Sequence, residues 1–128
     1  MTIQSQVHDH FKIFAGKLPA DRSISTFAEQ VSRFAAEHAI AAKSIGVEYL
    51  ESADRLVITL GYRTGGESYP ITLQSVSLGN AGSWEDGRDF TDLEARMRDA
   101  ASRIDNIICH ELFVTTDGEL VMVFMTLA

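Results

Sequence analysis

One pattern in this chain runs twice, and it constrains the fold more than any single motif. A helix-like segment, Thr26 to Ala42, leads into two strand-like runs, Ser44 to Leu50 and Arg55 to Tyr62. A second, Thr91 to Ile104, leads into Ile107 to Val114 and Glu119 to Leu127. Both helices open on Thr-x-x-Glu, Thr26 with Glu29 and Thr91 with Glu94. In such a capping box the Thr hydroxyl accepts from a first-turn N–H and the Glu reaches back to the Thr N–H. The closing strands also read alike, Arg55-Leu56-Val57-Ile58 against Glu119-Leu120-Val121-Met122. The expectation is a single domain over residues 1–128, built of two αββ halves at about 24–78 and 90–128, with a connector over 79–90.

Hydrophobic spacing fills in the elements. Phe27, Val31, Phe34, Ala35, His38 and Ala42 share one face of the first helix, and Leu93, Met97, Ala100, Ala101 and Ile104 share one face of the second. Ahead of them Ile3, Val7, Phe11 and Phe14 mark an amphipathic helix that Gly16 and Pro19 would end. A competing pattern, Phe11, Ile13 and Ala15 on one face, marks a short edge strand; the helix is preferred. The paired glycines Gly65-Gly66 read as a hairpin loop, and a third strand, Tyr69 to Leu78, completes an antiparallel meander with the two before it. Helices on one face of a mainly antiparallel sheet of about five strands give an α+β two-layer sandwich.

The last strand departs from this scheme. Leu120, Met122 and Phe124 occupy one face, while Val121, Val123, Met125 and Leu127 occupy the other. Alternation is lost, so both faces need cover, either from elements of the same chain or from a second subunit. A homodimer or larger homo-oligomer is expected on that ground.

Charge narrows the partners. The net charge of −7 is divided unequally: Met1 to Trp84 holds eight acidic and seven basic residues, Glu85 to Ala128 ten and four. No cluster of Lys and Arg with interleaved aromatics is present. Arg96, Arg98 and Arg103 share their helix with Asp92, Glu94 and Asp99, which reads as a solvated mixed-charge face, so nucleic acid is not an expected partner. A protein with a basic surface is. No apolar run approaches the ~20 residues that span a bilayer, and Met1 to Phe14 lacks the apolar stretch of a signal peptide. Cys109 is the single cysteine, which precludes an intramolecular disulfide and fits a reducing compartment. A cytoplasmic protein away from membranes is expected.

Chemistry is thinly signalled. His8-Asp9-His10 and Cys109-His110-Glu111 are the clusters with metal-ligand side chains, yet neither has zinc-site spacing, and no metal or cofactor is expected. As a nucleophile, Cys109 would need a base other than His110, which points away from it on a strand. Glu48 and Glu111 would offer acid/base chemistry only if the fold brought them together. The connector Ser83-Trp84-Glu85-Asp86-Gly87-Arg88-Asp89-Phe90 stands out, since Trp84, Arg88 and Phe90 are contact-forming types grouped in one loop. These observations favour a small non-enzymatic module acting through protein contacts as a homodimer, met at Trp84, Arg88 and Phe90. The alternative is a small-molecule or metal-binding protein or an enzyme, with a site between the halves formed by His38, Cys109, His110 and Glu111.

Overall fold

The element order is β-α-β-β, then β-α-β-β again. In the computed structural model, which describes residues 10–19, 23–65, 67–83 and 90–128, the first quartet is β1 (His10–Lys17), α1 (Ser25–His38), β2 (Ala41–Leu50) and β3 (Arg55–Arg63). The second is β4 (Ile71–Asn80), α2 (Thr91–Ser102), β5 (Ile107–Val114) and β6 (Glu119–Leu127). Each quartet forms a three-stranded antiparallel sheet with its last strand in the middle, β1-β3-β2 and β4-β6-β5. The likeness extends to detail. The register slips near the start of both β2 (Ala42/Ser44) and β5 (Ile107/Cys109). The residue entering each central strand is left-handed, Asp54 at φ 49° and Gly118 at φ 84°.

The α+β class holds, but the sheet arrangement differs from the expected one. Two sheets of three strands replace one of about five. β4 does not continue a meander on β3; it pairs along its length with β6, from Ile71↔Leu127 to Asn80↔Glu119. The chain after β3 therefore crosses to the other sheet, and β4 belongs with the second half. Residues 79–80, expected in the connector, close that strand.

The first half gains β1 in exchange. Residues 10–17 are a strand rather than the end of a helix, because they pair in unbroken register with β3, from His10↔Tyr62 to Lys17↔Arg55. That ladder pairs one edge of the whole segment with β3 and overrides the helical spacing of Phe11 and Phe14. The remainder of the expected helix, residues 3–9, lies outside the described residues.

The helix starts are also corrected. Ile24 and Phe90 hold the N-cap positions, their carbonyls accept from Ala28 and Glu94 at 2.8 Å each, and neither helix has a side-chain cap bond. Thr26 and Thr91 sit inside the first turn, so neither capping box forms. At the other end α1 stops at His38 with Ala39 left-handed at φ 49°, and Ala41 and Ala42 already belong to β2.

Burial explains the non-alternating strand. β6 is the middle strand of the second sheet and is buried from Leu120 to Thr126. Val121, Val123 and Met125 join the main core with Phe27, Val31 and Ala35 of α1 and Leu56, Ile58 and Leu60 of β3. Leu120, Met122 and Phe124 join a second cluster with Ala100, Leu93 and Met97 of α2. One helix covers one face; the other helix and the first sheet cover the opposite face. Each such buried side chain contributes roughly 1.5–3 kcal/mol relative to exposure. Both faces of β6 are thus covered within one chain, and a second subunit is not needed for that purpose.

Candidate interaction surface

β1 stands at one end of the first sheet, and its two faces meet opposite environments. Phe14 points inward and is buried, and the Lys12 ammonium lies 5.7 Å from the centre of the Phe34 ring of α1, within cation–π range. Phe11 and Ile13 point outward and are 65% and 61% exposed, the two highest values among the large apolar side chains described. Register carries this outer face across the sheet. Ile13 lies beside Thr59 and then Gly46; Ala15 lies beside Val57 and then Glu48.

Two of the depressions along this sheet bear on β1 and its outer face. A groove of about 370 Å³ runs between β1, contributing Lys12, Ile13 and Ala15, and α1, contributing Gln30, Arg33, Phe34 and Glu37. A smaller one of about 220 Å³ on the outer face is lined by Gly46, Glu48, Val57 and Thr59 and also by Glu111 of β5. Glu48 and Glu111 therefore share one depression, because β2 and β5, the inner edges of the two sheets, run side by side.

The charge around β1 differs from that of the chain as a whole. His10, Lys12 and Lys17 lie on the strand, which has no carboxylate. On α1 the groove shows one cation and one anion, with Arg33 also paired to Glu29 at 2.9 Å on the exposed helix surface. Such an exposed pair is worth a few tenths of a kcal/mol, about 0.3–0.5. On α2 the ion pairs Arg96–Asp92 at 3.5 Å and Arg103–Asp99 at 2.9 Å are likewise exposed and one helical turn apart, as a solvated mixed-charge face requires.

The residues singled out from sequence are dispersed. Trp84 and Arg88 lie outside the described residues; Phe90 is 45% exposed at the start of α2. His38 is exposed at the end of α1, its ring stacked 4.3 Å from Phe34 and its Nδ1 3.0 Å from the Phe34 carbonyl oxygen. Cys109 is half-buried against the main core. Burial pushes its thiol above the ordinary range, the Ile45 backbone N–H pulls the other way, and Glu111 adds to the rise. An elevated thiol is the reverse of an activated nucleophile. His110 is exposed, and of these four residues Glu111 alone lines a depression described above. Among the described residues no group of three or more His, Cys, Asp or Glu could hold a metal ion, and no helix is long and apolar enough to cross a membrane.

The residues that sequence reasoning undervalued are Phe11, Ile13 and Lys12. Their signal was the strand alternation of Phe11, Ile13 and Ala15, which competed with a helical reading over the same positions. In comparisons with known proteins, no family model, no curated protein and no solved structure matches this chain.

Proposed function

We propose that this protein is a small non-enzymatic module of the cytoplasm that works through protein–protein contacts, as a homodimer, at the surface built on β1. The observation that carries the reading is the exposure of Phe11 and Ile13, two residues apart on the end strand of a sheet. Large apolar side chains grouped on a surface mark contact sites, and an end strand offers backbone groups to a partner. The homodimer expectation no longer draws on β6 and rests on β1 instead. The connector holding Trp84, Arg88 and Phe90, in the acidic part of the chain, remains a second place where a basic protein partner would be met. Nucleic acid and membrane are not among the proposed partners.

The alternative, a ligand-binding protein or enzyme, has one specific observation in its favour: Glu48 and Glu111 line the same depression. Two neighbouring carboxylates are the makings of acid/base chemistry or of cation binding. Light scattering combined with native mass spectrometry separates the two readings. A particle of twice the chain mass supports the contact reading. A monomer carrying a stoichiometric small molecule or cation, lost in Glu48→Gln, supports the alternative.

A further inference from the structure

We infer that two copies of this chain pair through β1, antiparallel about a two-fold axis, so that their first sheets join into a single sheet of six strands. The inference rests on the protein-contact reading and names its partner and geometry.

Edge strands differ in how they are offered. β2 and β5 lie side by side, so each inner edge is next to the other. β4, the counterpart of β1 in the second sheet, is packed by α1, joined to it through Ser32, and interrupted by a register slip between Ser77 and Gly79. β1 has eight residues, no proline and no slip in its ladder with β3. Natural sheets blunt an exposed edge with short length, proline, bulges or charge. β1 uses only the last of these, and its charges are of one sign.

Charge then selects the partner. Two copies at −7 each repel, so a contact between them has to avoid the acidic surface. β1 carries basic side chains and no carboxylate; β3 and β4 also lack carboxylates, but β3 is the middle strand of its sheet and β4 is packed by α1. A two-fold contact uses one patch twice and must be complementary to itself. The groove side of α1 presents Arg33 and Glu37 one turn apart, so two antiparallel copies set cation against anion in both directions. On the strands, an axis through Ile13 overlaps His10 to Gly16 of both copies. It places Phe11 opposite Ala15 and Lys12 opposite Phe14, and keeps Lys12 from facing its own copy. Phe11 and Ile13 of both copies then share one outer face, where apolar cross-strand neighbours stabilise the pairing.

The test uses the full chain. Light scattering over a micromolar concentration series reads the mass of the wild type, Ile13→Lys and Phe11→Lys. Ile13→Cys in a Cys109→Ala background, treated with a short bis-maleimide, reads the proximity of the two Ile13 positions. The expected results are a wild-type dimer and at least tenfold weaker association in both lysine variants, which keep the wild-type circular dichroism spectrum because both positions are largely exposed in the single chain. Efficient covalent dimer formation by Ile13→Cys is also expected. A wild-type dimer that Ile13→Lys leaves intact and Ile13→Cys does not cross-link overturns β1 pairing, and β1 as the contact surface, while keeping the homodimer. A wild type that stays monomeric at high micromolar concentration overturns both the β1 pairing and the homodimer.

Discussion

Ser32, on α1, donates its hydroxyl hydrogen to the carbonyl oxygen of Ile71, the first residue of β4, at 2.7 Å. That bond ties the helix of one half to the end strand of the other. It is one of several such ties among the described residues. The Tyr69 hydroxyl, just ahead of β4, donates to the Ala42 carbonyl at 2.6 Å. The Tyr49 hydroxyl joins the Asp54 carboxylate in its own hairpin turn and the Thr116 hydroxyl in the matching turn of the other half. Replacing Ser32 with Ala leaves a part-buried carbonyl without this donor. The expected loss is about 1 kcal/mol, read as a lower urea midpoint with unchanged slope.

The two faces of β6 yield a sharper test. Val123 is fully buried against the main core and Phe124 is 1% exposed on the α2 side. Val123→Lys should therefore unfold the protein rather than separate subunits, because the ammonium would be buried without a partner. Phe124→Ala should cost about 3–5 kcal/mol through lost transfer energy and a cavity. Circular dichroism on the two variants, set against light scattering, distinguishes unfolding from dissociation. A folded Val123→Lys monomer would contradict the burial described here.

Much of the architecture was legible in the sequence, and the failures share a cause. The helical stripe of Phe27, Val31 and Ala35, the matched strands at Arg55 and Glu119, and the two-sided apolar set of β6 are local patterns, and they correspond to observed elements. Strand partnership is not local. Nothing between Arg63 and Ile71 says that the next strand crosses to pair with β6, so the local pattern puts β4 on β3. In β1 the pattern is inverted, with Lys12 turned in over Phe34 and with Phe11 and Ile13 turned out. Apolar periodicity marks a core face, and here it marked a surface. The proposed contact was hidden for that same reason, whereas the sharing of one depression by Glu48 and Glu111 depends on the approach of β2 to β5, which only the fold supplies.

The end of α1 stores removable strain. Ala39 is left-handed at φ 49°, ψ 58° and its N–H donates to the Ala35 carbonyl, the position that glycine usually fills after a helix. A β-carbon there costs roughly 1 kcal/mol or more. Ala39 is exposed, so Ala39→Gly loses no packing. A stabilisation of about 0.5–1 kcal/mol is expected in thermal or urea melts, against the usual penalty of glycine in this neighbourhood of a helix. A destabilised Ala39→Gly would place the end of α1 elsewhere.

Cys109 supplies a prediction with a definite sign. Burial is the largest influence on its thiol and raises it; the Ile45 N–H opposes that rise, and Glu111 reinforces it. The folded chain thus holds this proton more tightly than the unfolded chain does. At alkaline pH the native state binds more protons at this site, so the site's contribution to stability decreases as pH increases. That contribution is whole below the ordinary thiol range and is lost as pH climbs through it toward the higher folded value. Urea melts at neutral and alkaline pH, compared between wild type and Cys109→Ala, isolate the effect from other groups that titrate there. The wild type should lose more stability between the two pH values than the variant does. A thiol reagent such as a disulfide dye should modify native Cys109 at least tenfold more slowly than the urea-unfolded chain at mildly alkaline pH. Equal rates, or a wild type that gains on Cys109→Ala as pH rises, would mean that the thiol is exposed and ionises as a free one does.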